Sequence, residues 1–576
     1  MKKPAASWRI NIILVLIFMF GAAVISRLFF LQILERKLFE AEALGQQSSF
    51  NNITGSRGQI FCEDSQQTKG NQGTNEIKSL AINKDSWQIS VNPTTISDKN
   101  SFAETLSKNI NQTKDQILSE LNGGGSYVVL AKGLSSDNLA KIKTLGLKGL
   151  SWQDNPERFY PQGDLAAEVL GFLGGQGTGQ YGVEGYYDDL LAGKSGFMEE
   201  QSGLDPILSG NSQASLNGSD VYLTIDYNIQ FQAEALLAAE QKKDDIESGQ
   251  IIVMKPDSGR ILAMANYPSF NPNEYGKETN LGIFQNATVQ KLFEPGSIMK
   301  PFTMAADLNE GKITPDTTYV DKGFVDFGTN QIHNFDNEVH GEQTMTQVLE
   351  SSINTGAVFA EQQIPHKTFV NYINRFGFDE RTGVDLQGEV YSNNSQLINA
   401  PDINYATASF GQGIDLTPLQ IARGYCAIAN GGRLVKPYIV EKIVNGNDET
   451  DTRPEISDPI VSQQTISQLN SMLISVVDKG FNGVAKIPGY YLAGKTGTAQ
   501  IPNPNGKGYE PDSEMVQSFV GYGPAFNPQF LILVKLDKPK VSIAALSAVP
   551  VFKQLANYII NYWQIPPDYD PSDKTK

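Results

Sequence analysis

The sequence predicts an α+β protein in three parts: an N-terminal transmembrane helix, an elongated pedestal domain, and a domain whose mainly antiparallel sheet is covered by helices. Three observations carry this expectation. An uncharged, largely apolar run opens the chain from Ile10 to Ser26. A polar and irregular texture follows as far as the Asn/Gly/Ser stretch Ser209–Ser219. From about Asp220, short apolar strands and amphipathic helices interleave without strict β-α-β order.

The opening segment sets the compartment. At 1.5 Å per residue, Ile10–Ser26 covers roughly 25 Å, a little short of a bilayer core. Leu28–Leu34 completes the span if Arg27 snorkels to the interface. Gly21-Ala22-Ala23 leaves a cleaved leader as the competing reading, but an apolar helix that continues past those small residues favours retention. A short basic amino end (Lys2, Lys3, Arg9) ahead of a long acidic chain predicts a single-pass protein, N-terminus inside and bulk outside.

Beyond the anchor (1–37) the expected pedestal covers 38–215. It begins with a charged helical stretch, Glu35–Gln47, followed by a polar surface loop at Ser65–Lys78 and a strand-like run at Leu80–Val91. Ser101–Leu121 and Ser136–Leu145 show helical patterning. In the third part (216–563), Val221–Ile225 reads as a strand and Ile229–Gln241 as a helix. Gln250–Met254 and Arg260–Asn266 read as paired strands. Helices are expected to begin near Ser297, Thr344 and Thr417. Strands are expected at Leu492–Ala499, Ser518–Tyr522 and Phe530–Leu536, with a closing helix at Val551–Trp563. The polar residues 564–576 read as a disordered tail.

Composition narrows the function. A chain of 576 residues exceeds one ordinary core, and 40% hydrophobic with 19% charged residues is normal for a globular protein. The net charge of −17 argues against a nucleic-acid partner, which needs a basic face. Two cysteines without CxxC spacing, Cys62 and Cys426, exclude a sulfur-liganded zinc site and leave one disulfide possible. With only His333, His340 and His366, a His-rich metal site is not expected, and no metal or organic cofactor is predicted.

Three motifs appear in order: Ser297-Ile298-Met299-Lys300, Ser352-Ile353-Asn354 and Lys495-Thr496-Gly497-Thr498. Pro295-Gly296 precede Ser297 and helix formers follow it, which predicts a helix N-terminus there; Pro301 is tolerated in a first turn whose amides lack intrahelical acceptors. Residues i and i+3 share a face, so Lys300 lies one turn beneath the Ser297 hydroxyl. Serine is a poor nucleophile without a base, and a desolvated lysine near other cations is neutral often enough to serve. The helix N-terminus adds positive potential where an oxyanion forms. Strand alternation sets Thr496 and Thr498 on one face and Lys495 on the other, and Gly497 leaves room for a peptide along an edge strand. Gly497 is equally readable as an ordinary strand glycine, and Ser352 and Asn354 as a cap or turn.

This motif set resembles the penicillin-binding protein and serine β-lactamase superfamily. More of the chain is similar to the class B, monofunctional transpeptidases: Arg57-Gly58-Gln59-Ile60, Arg158-Phe159-Tyr160-Pro161, Tyr181-Gly182-Val183-Glu184-Gly185, Leu223-Thr224-Ile225-Asp226, Ala408-Ser409-Phe410-Gly411-Gln412-Gly413 and Ala493–Gln500. Two departures stand out. Phe61-Cys62-Glu63-Asp64 and a polar insertion replace the usual Asp-Arg-Asn-Gly, and Ile298 replaces a frequent threonine.

The resemblance implies a peptidoglycan D,D-transpeptidase anchored in a bacterial plasma membrane. In it Ser297 is acylated by the D-Ala-D-Ala end of a stem peptide, and an amine of a neighbouring stem peptide resolves the acyl-enzyme. It implies Lys300 as general base, Ser352 and Asn354 as proton relay and substrate-amide contacts, and Lys495 as support for the hydroxyl network. Thr496, Gly497 and Thr498 bind substrate, and the backbone N–H groups of Ser297 and Thr498 form the oxyanion hole. β-Lactam antibiotics are the implied inhibitors, and a SEDS-family glycan polymerase with other division or elongation proteins the implied membrane partners. Glu294-Pro295-Gly296-Ser297 resembles the FtsI-like division branch more than the elongation branch. The rivals are an elongation-type transpeptidase, a D,D-carboxypeptidase or β-lactamase-type hydrolase, and a non-catalytic penicillin-binding sensor or scaffold.

Overall fold

The computed structural model describes residues 16, 18–21, 24, 50–53, 55–65, 76–194, 196–199, 216–503, 508–511 and 514–572. The expected helix at Glu35–Gln47 and most of the apolar segment Ile10–Leu34 lie outside these residues, as does most of the Ser65–Lys78 loop. Among the described residues no helix is long and apolar enough to cross a membrane. The chain divides into two compact units. In the smaller one (1–58 and 192–218), strand Phe50–Ile53 pairs antiparallel with Gly196–Glu199.

The larger unit (59–191 and 219–576) is organised around a five-stranded antiparallel sheet. Its order is Ile261–Tyr267, Ser248–Met254, Phe530–Asp537, Met515–Gly523, Ala493–Gln500. The apolar alternation of these strands explains why both faces are covered. Ile251, Val253, Ile532, Val534 and Leu536 enter one core cluster with helices Tyr227–Asp244 and Ala548–Tyr562. Ile252, Met254, Leu531 and Leu533 enter the other, with helices Lys300–Asn309, Pro418–Ala429 and Gln463–Lys479. Capping marks the helix starts: Thr344 and Thr417 each close a capping box with a glutamine three residues on.

A six-stranded sheet runs Asp448–Asp451, Val440–Asn445, Asp220–Asp226, Ile60–Asp64, Glu76–Lys84, Glu157–Phe159. The unusual Phe61-Cys62-Glu63-Asp64 run is thus accommodated in an interior strand, where Cys62 is buried. The Arg-Phe-Tyr-Pro and Tyr-Gly-Val-Glu-Gly segments meet through a buried ion pair, Arg158 Nε to Glu184 Oε1 at 2.6 Å. A small satellite core gathers Ile89, Val91, Phe102, Ile117 and Leu139.

Three expectations need correction, and one open possibility closes. The strand foreseen at Leu80–Val91 is two strands, Glu76–Lys84 and Trp87–Val91. Ser101–Leu121 is two helices, Lys99–Ser107 and Lys114–Asn122, because the Thr113/Gln116 capping box starts the second. No disulfide forms, since Cys62 and Cys426 are both free and buried. The tail is pinned as far as Tyr569: the amides of Asp568 and Tyr569 donate to the Gly489 carbonyl, and Tyr491 N–H donates to Asp568.

Candidate active site

Ser297 occupies a 3₁₀ turn, Gly296–Met299, that runs straight into helix Lys300–Asn309. In such a turn i and i+3 eclipse, so Lys300 sits beneath Ser297, and its N–H donates to the Ser297 carbonyl. Three contacts fix the turn. Gly296 has φ +60°, and a Cβ there would lie 2.7 Å from the Thr498 carbonyl oxygen. Its N–H donates to the Gly411 carbonyl at 2.9 Å, and a Cβ on Gly411 would lie 2.2 Å from the Gly296 oxygen. The buried Tyr425 hydroxyl donates to the Ile298 carbonyl at 2.8 Å. Glycine at 296 therefore lets the Ser297 turn touch the strand that carries the third motif, and glycine at 411 lets its own segment approach Gly296.

That strand, Ala493–Gln500, is the edge of the five-stranded sheet, where among the described residues it pairs with Met515–Gly523. Gly497 has a packing reason beside any substrate: a Cβ there would meet Ser518 Oγ at 2.4 Å and Ile298 Cγ2 at 2.9 Å. Lys495 and Thr496 are less cleanly opposed than alternation suggests. The long lysine stem brings Nζ to within 3.2 Å of Thr496 Oγ1.

The second motif sits between two short helices. Helix Met345–Glu350 ends in a Schellman turn, in which Ser352 N–H donates to the Leu349 carbonyl and Ile353 N–H to the Val348 carbonyl. Ser352 itself holds φ +57°, a left-handed conformation that normally selects glycine. Asn354 then begins helix Asn354–Glu361. Both residues thus serve local turns and also face the site.

The side chains converge on one hydroxyl. Lys495 Nζ donates to Ser352 Oγ at 2.8 Å, and Lys300 Nζ lies 3.4 Å from the same oxygen. Lys300 also donates to the Ser352 carbonyl and to Asn354 Oδ1, the latter at 2.9 Å. Both lysines are completely buried, and neither has a carboxylate in ion-pair range among the described residues. Burial, then the Lys495 charge, holds the Lys300 ammonium well below the usual lysine range, against a smaller opposing pull from Asp336. Burial alone brings Lys495 down to about 7. Ser297, one 3₁₀ turn ahead of Lys300, is partly exposed. A partly exposed serine, a buried amine easily neutral, and a second amine on a shared hydroxyl are groups suited to acyl transfer.

Sequence reasoning did not single out Asp321. It is buried and accepts from Thr355 Oγ1 at 2.6 Å, His340 N–H at 2.7 Å, and Gly323 N–H and Asn334 Nδ2 at 2.9 Å each. No spacing signal links it to the motifs. Glu294, three residues before the nucleophile, bonds the Gly413 amide and the Tyr509 hydroxyl, and burial raises its carboxyl to about 7. A cavity of about 630 Å³ lined by Asp226, Lys255, Arg260 and Trp563 includes none of the motif residues.

Residues 249–557 match the family described as Penicillin binding protein transpeptidase domain, and residues 53–223 match Penicillin-binding Protein dimerisation domain. The chain is 30% identical over 475 residues to Stage V sporulation protein D of Bacillus subtilis, covering 81% of this chain and 73% of that protein. It is 28% identical over 578 residues to peptidoglycan D,D-transpeptidase FtsI of Escherichia coli K12, covering 98% and 93%. Among solved structures, penicillin-binding protein 3 of Mycobacterium tuberculosis complexed with aztreonam is similar with a TM-score of 0.68 at 26% identity, over 90% of this chain and 98% of that one.

Proposed function

This chain belongs to the class B penicillin-binding proteins, and from that premise we propose that it is a peptidoglycan D,D-transpeptidase acting through Ser297. The observation that carries the reading is the convergence of two buried amines on Ser352 Oγ, with Lys300 one turn after the partly exposed Ser297. Neutral Lys300 takes the Ser297 proton as Oγ attacks the penultimate D-Ala carbonyl carbon. The resulting oxyanion is held by the amides of Ser297 and Thr498. The peptide bond breaks as a proton passes through the Lys300, Ser352 and Lys495 network to the departing D-Ala nitrogen. A neighbouring stem-peptide amine then attacks the ester and gives its proton to the network. Ser297 leaves reprotonated, and a 4,3 cross-link remains. Thr496 and Thr498 bind the terminal carboxylate, and the free edge beside Gly497 receives the peptide backbone as an added strand.

The division of labour follows the expected parts: anchor 1–37, pedestal 38–215, catalytic part 216–563. The apolar run Ile10–Leu34 supports a single-pass anchor, N-terminus cytoplasmic. Glu294-Pro295-Gly296-Ser297 and the near full-length similarity to FtsI support a septal role, with a SEDS-family polymerase as membrane partner and β-lactams as inhibitors. The test is product analysis with polymerised lipid-linked substrate and the membrane partner. Cross-linked stem-peptide dimers are expected, and a penicilloyl adduct that persists for minutes. Rapid penicillin turnover, or D-Ala release with only hydrolysed tetrapeptide, would move the protein to the hydrolases.

A further inference from the structure

Asn354 has two ways to present its amide, and only one is useful to Lys300. With Oδ1 toward Lys300 Nζ it accepts from the amine; flipped, its Nδ2 would face an ammonium as a second donor, or occupy the lone pair that a neutral Lys300 needs for the Ser297 proton. The amide is oriented by its other end, where Nδ2 donates to the His333 carbonyl at 3.1 Å. His333 ends strand Asn330–His333, and the next residue, Asn334, is buried. Asn334 Nδ2 donates to Asp321 Oδ2, while its Oδ1 accepts the N–H of Thr355 at 3.1 Å. Thr355, the neighbour of Asn354, donates its hydroxyl to Asp321 Oδ1 at 2.6 Å. Asp321 therefore grips the residue that follows His333 and the residue that follows Asn354. It does so with four donors filling both carboxylate oxygens.

We propose that Asp321 is a positioning residue for the acylation step: through Asn334 and Thr355 it sets the distance between the His333 carbonyl and Asn354, and so holds Asn354 Oδ1 on Lys300. It touches no reacting atom. Burial works to raise the Asp321 carboxyl, but the Thr355 hydroxyl and the His340 and Gly323 amides outweigh it and hold it below the usual range. The bracket is therefore anionic throughout the working pH range, and an uncharged replacement cannot accept from all four donors.

The consequence for Lys300 has a definite sign. Losing the Oδ1 acceptor destabilises the ammonium relative to the free amine, so the acidic limb of the acylation rate moves to lower pH while the plateau falls. The other charged groups acting on Lys300 are Lys495 and Asp336, both left in place by a change at 321.

The inference rests on acylation at Ser297 and is tested on the full chain with a fluorescent penicillin in a double-mutant cycle. Asp321→Asn is expected to slow labelling by at least about tenfold, the rate equivalent of one charge-assisted hydrogen bond, and to shift the acidic limb downward. On an Asn354→Ala background the same change should cost less than about twofold, because the residue through which Asp321 acts is gone. Thr355→Val, which removes one donor and keeps the volume, should show the same pattern more weakly and carries the cycle if Asp321→Asn does not fold. A full, multiplicative loss on the Asn354→Ala background, or a slower rate with an unmoved pH profile, overturns the positioning role. Absence of Ser297 labelling in the wild-type protein would instead overturn the acylation reading beneath it.

Discussion

Lys300 and Lys495 bring two amines to one hydroxyl with no carboxylate paired to either among the described residues, and the residue-scale predictions follow from that cost. Lys300→Arg keeps the positive charge but cannot release a proton, so penicillin acylation should fall by more than about tenfold, or about 1.4 kcal/mol of barrier. Labelling kinetics check this, and retained acylation would assign the base elsewhere. Lys495 has a folded-state value near 7 against an ordinary value of 10.5. The unfolded chain therefore binds the extra proton between those limits, so this group's contribution to stability is present above 10.5 and is lost as pH falls through about 7. Lys495→Met should accordingly raise the Tm at neutral pH while abolishing labelling. Ser352 adopts a conformation suited to glycine. Ser352→Gly should relieve roughly 1 kcal/mol of backbone strain but remove the acceptor shared by two buried amines, so thermal melts should show no net gain while acylation slows. These residues are where local preference yields to function.

At the scale of elements, two helix starts bring the site together. Lys300 opens one and Asn354 the other, and two turns further along each lies a buried acid, Asp307 and Glu361. Burial, then the charges of Glu361 and Glu310, raises Asp307 to about 9. The folded state thus holds a proton that the unfolded chain has released, so this contribution is present below the ordinary value of 3.8 and lost as pH rises through about 9. Asp307→Asn should flatten the decline of Tm between about pH 4 and pH 9, and an unchanged slope there would contradict the assignment. The turn-to-strand contact is equally specific. Gly497→Ala places a Cβ 2.4 Å from Ser518 Oγ and should cost about 1–3 kcal/mol of stability together with acylation rate. Much of this layer was legible in the sequence. The capping boxes at Thr344 and Thr417, the paired strands around Lys255–Gly259 and the turn before Ser297 all follow from local rules. The Thr113/Gln116 box was equally readable and divides a stretch that periodicity alone joins. Not legible was the left-handed Ser352, since nothing in Ser-Ile-Asn dictates a Schellman turn, nor the Asp321 bracket, whose partners come from separate segments.

Across the whole molecule, the groups of the candidate site come from three segments, around positions 297, 352 and 495, and meet only because the five-stranded sheet, its covering helices and the glycine at 296 bring an edge strand against a helix start. Motif order reveals the chemistry, but not the sharing of Ser352 Oγ by both lysines, which needs the fold. The central claim is that this arrangement makes Ser297, and no other side chain, the acylated group. It is tested most directly by intact-mass analysis after exposure to penicillin. The folded wild-type protein should gain the mass of one penicillin, mapped to the peptide containing Ser297, and folded Ser297→Ala should gain none. An adduct that persists on the Ala variant, or a folded wild-type protein that takes up no penicillin, would contradict the account.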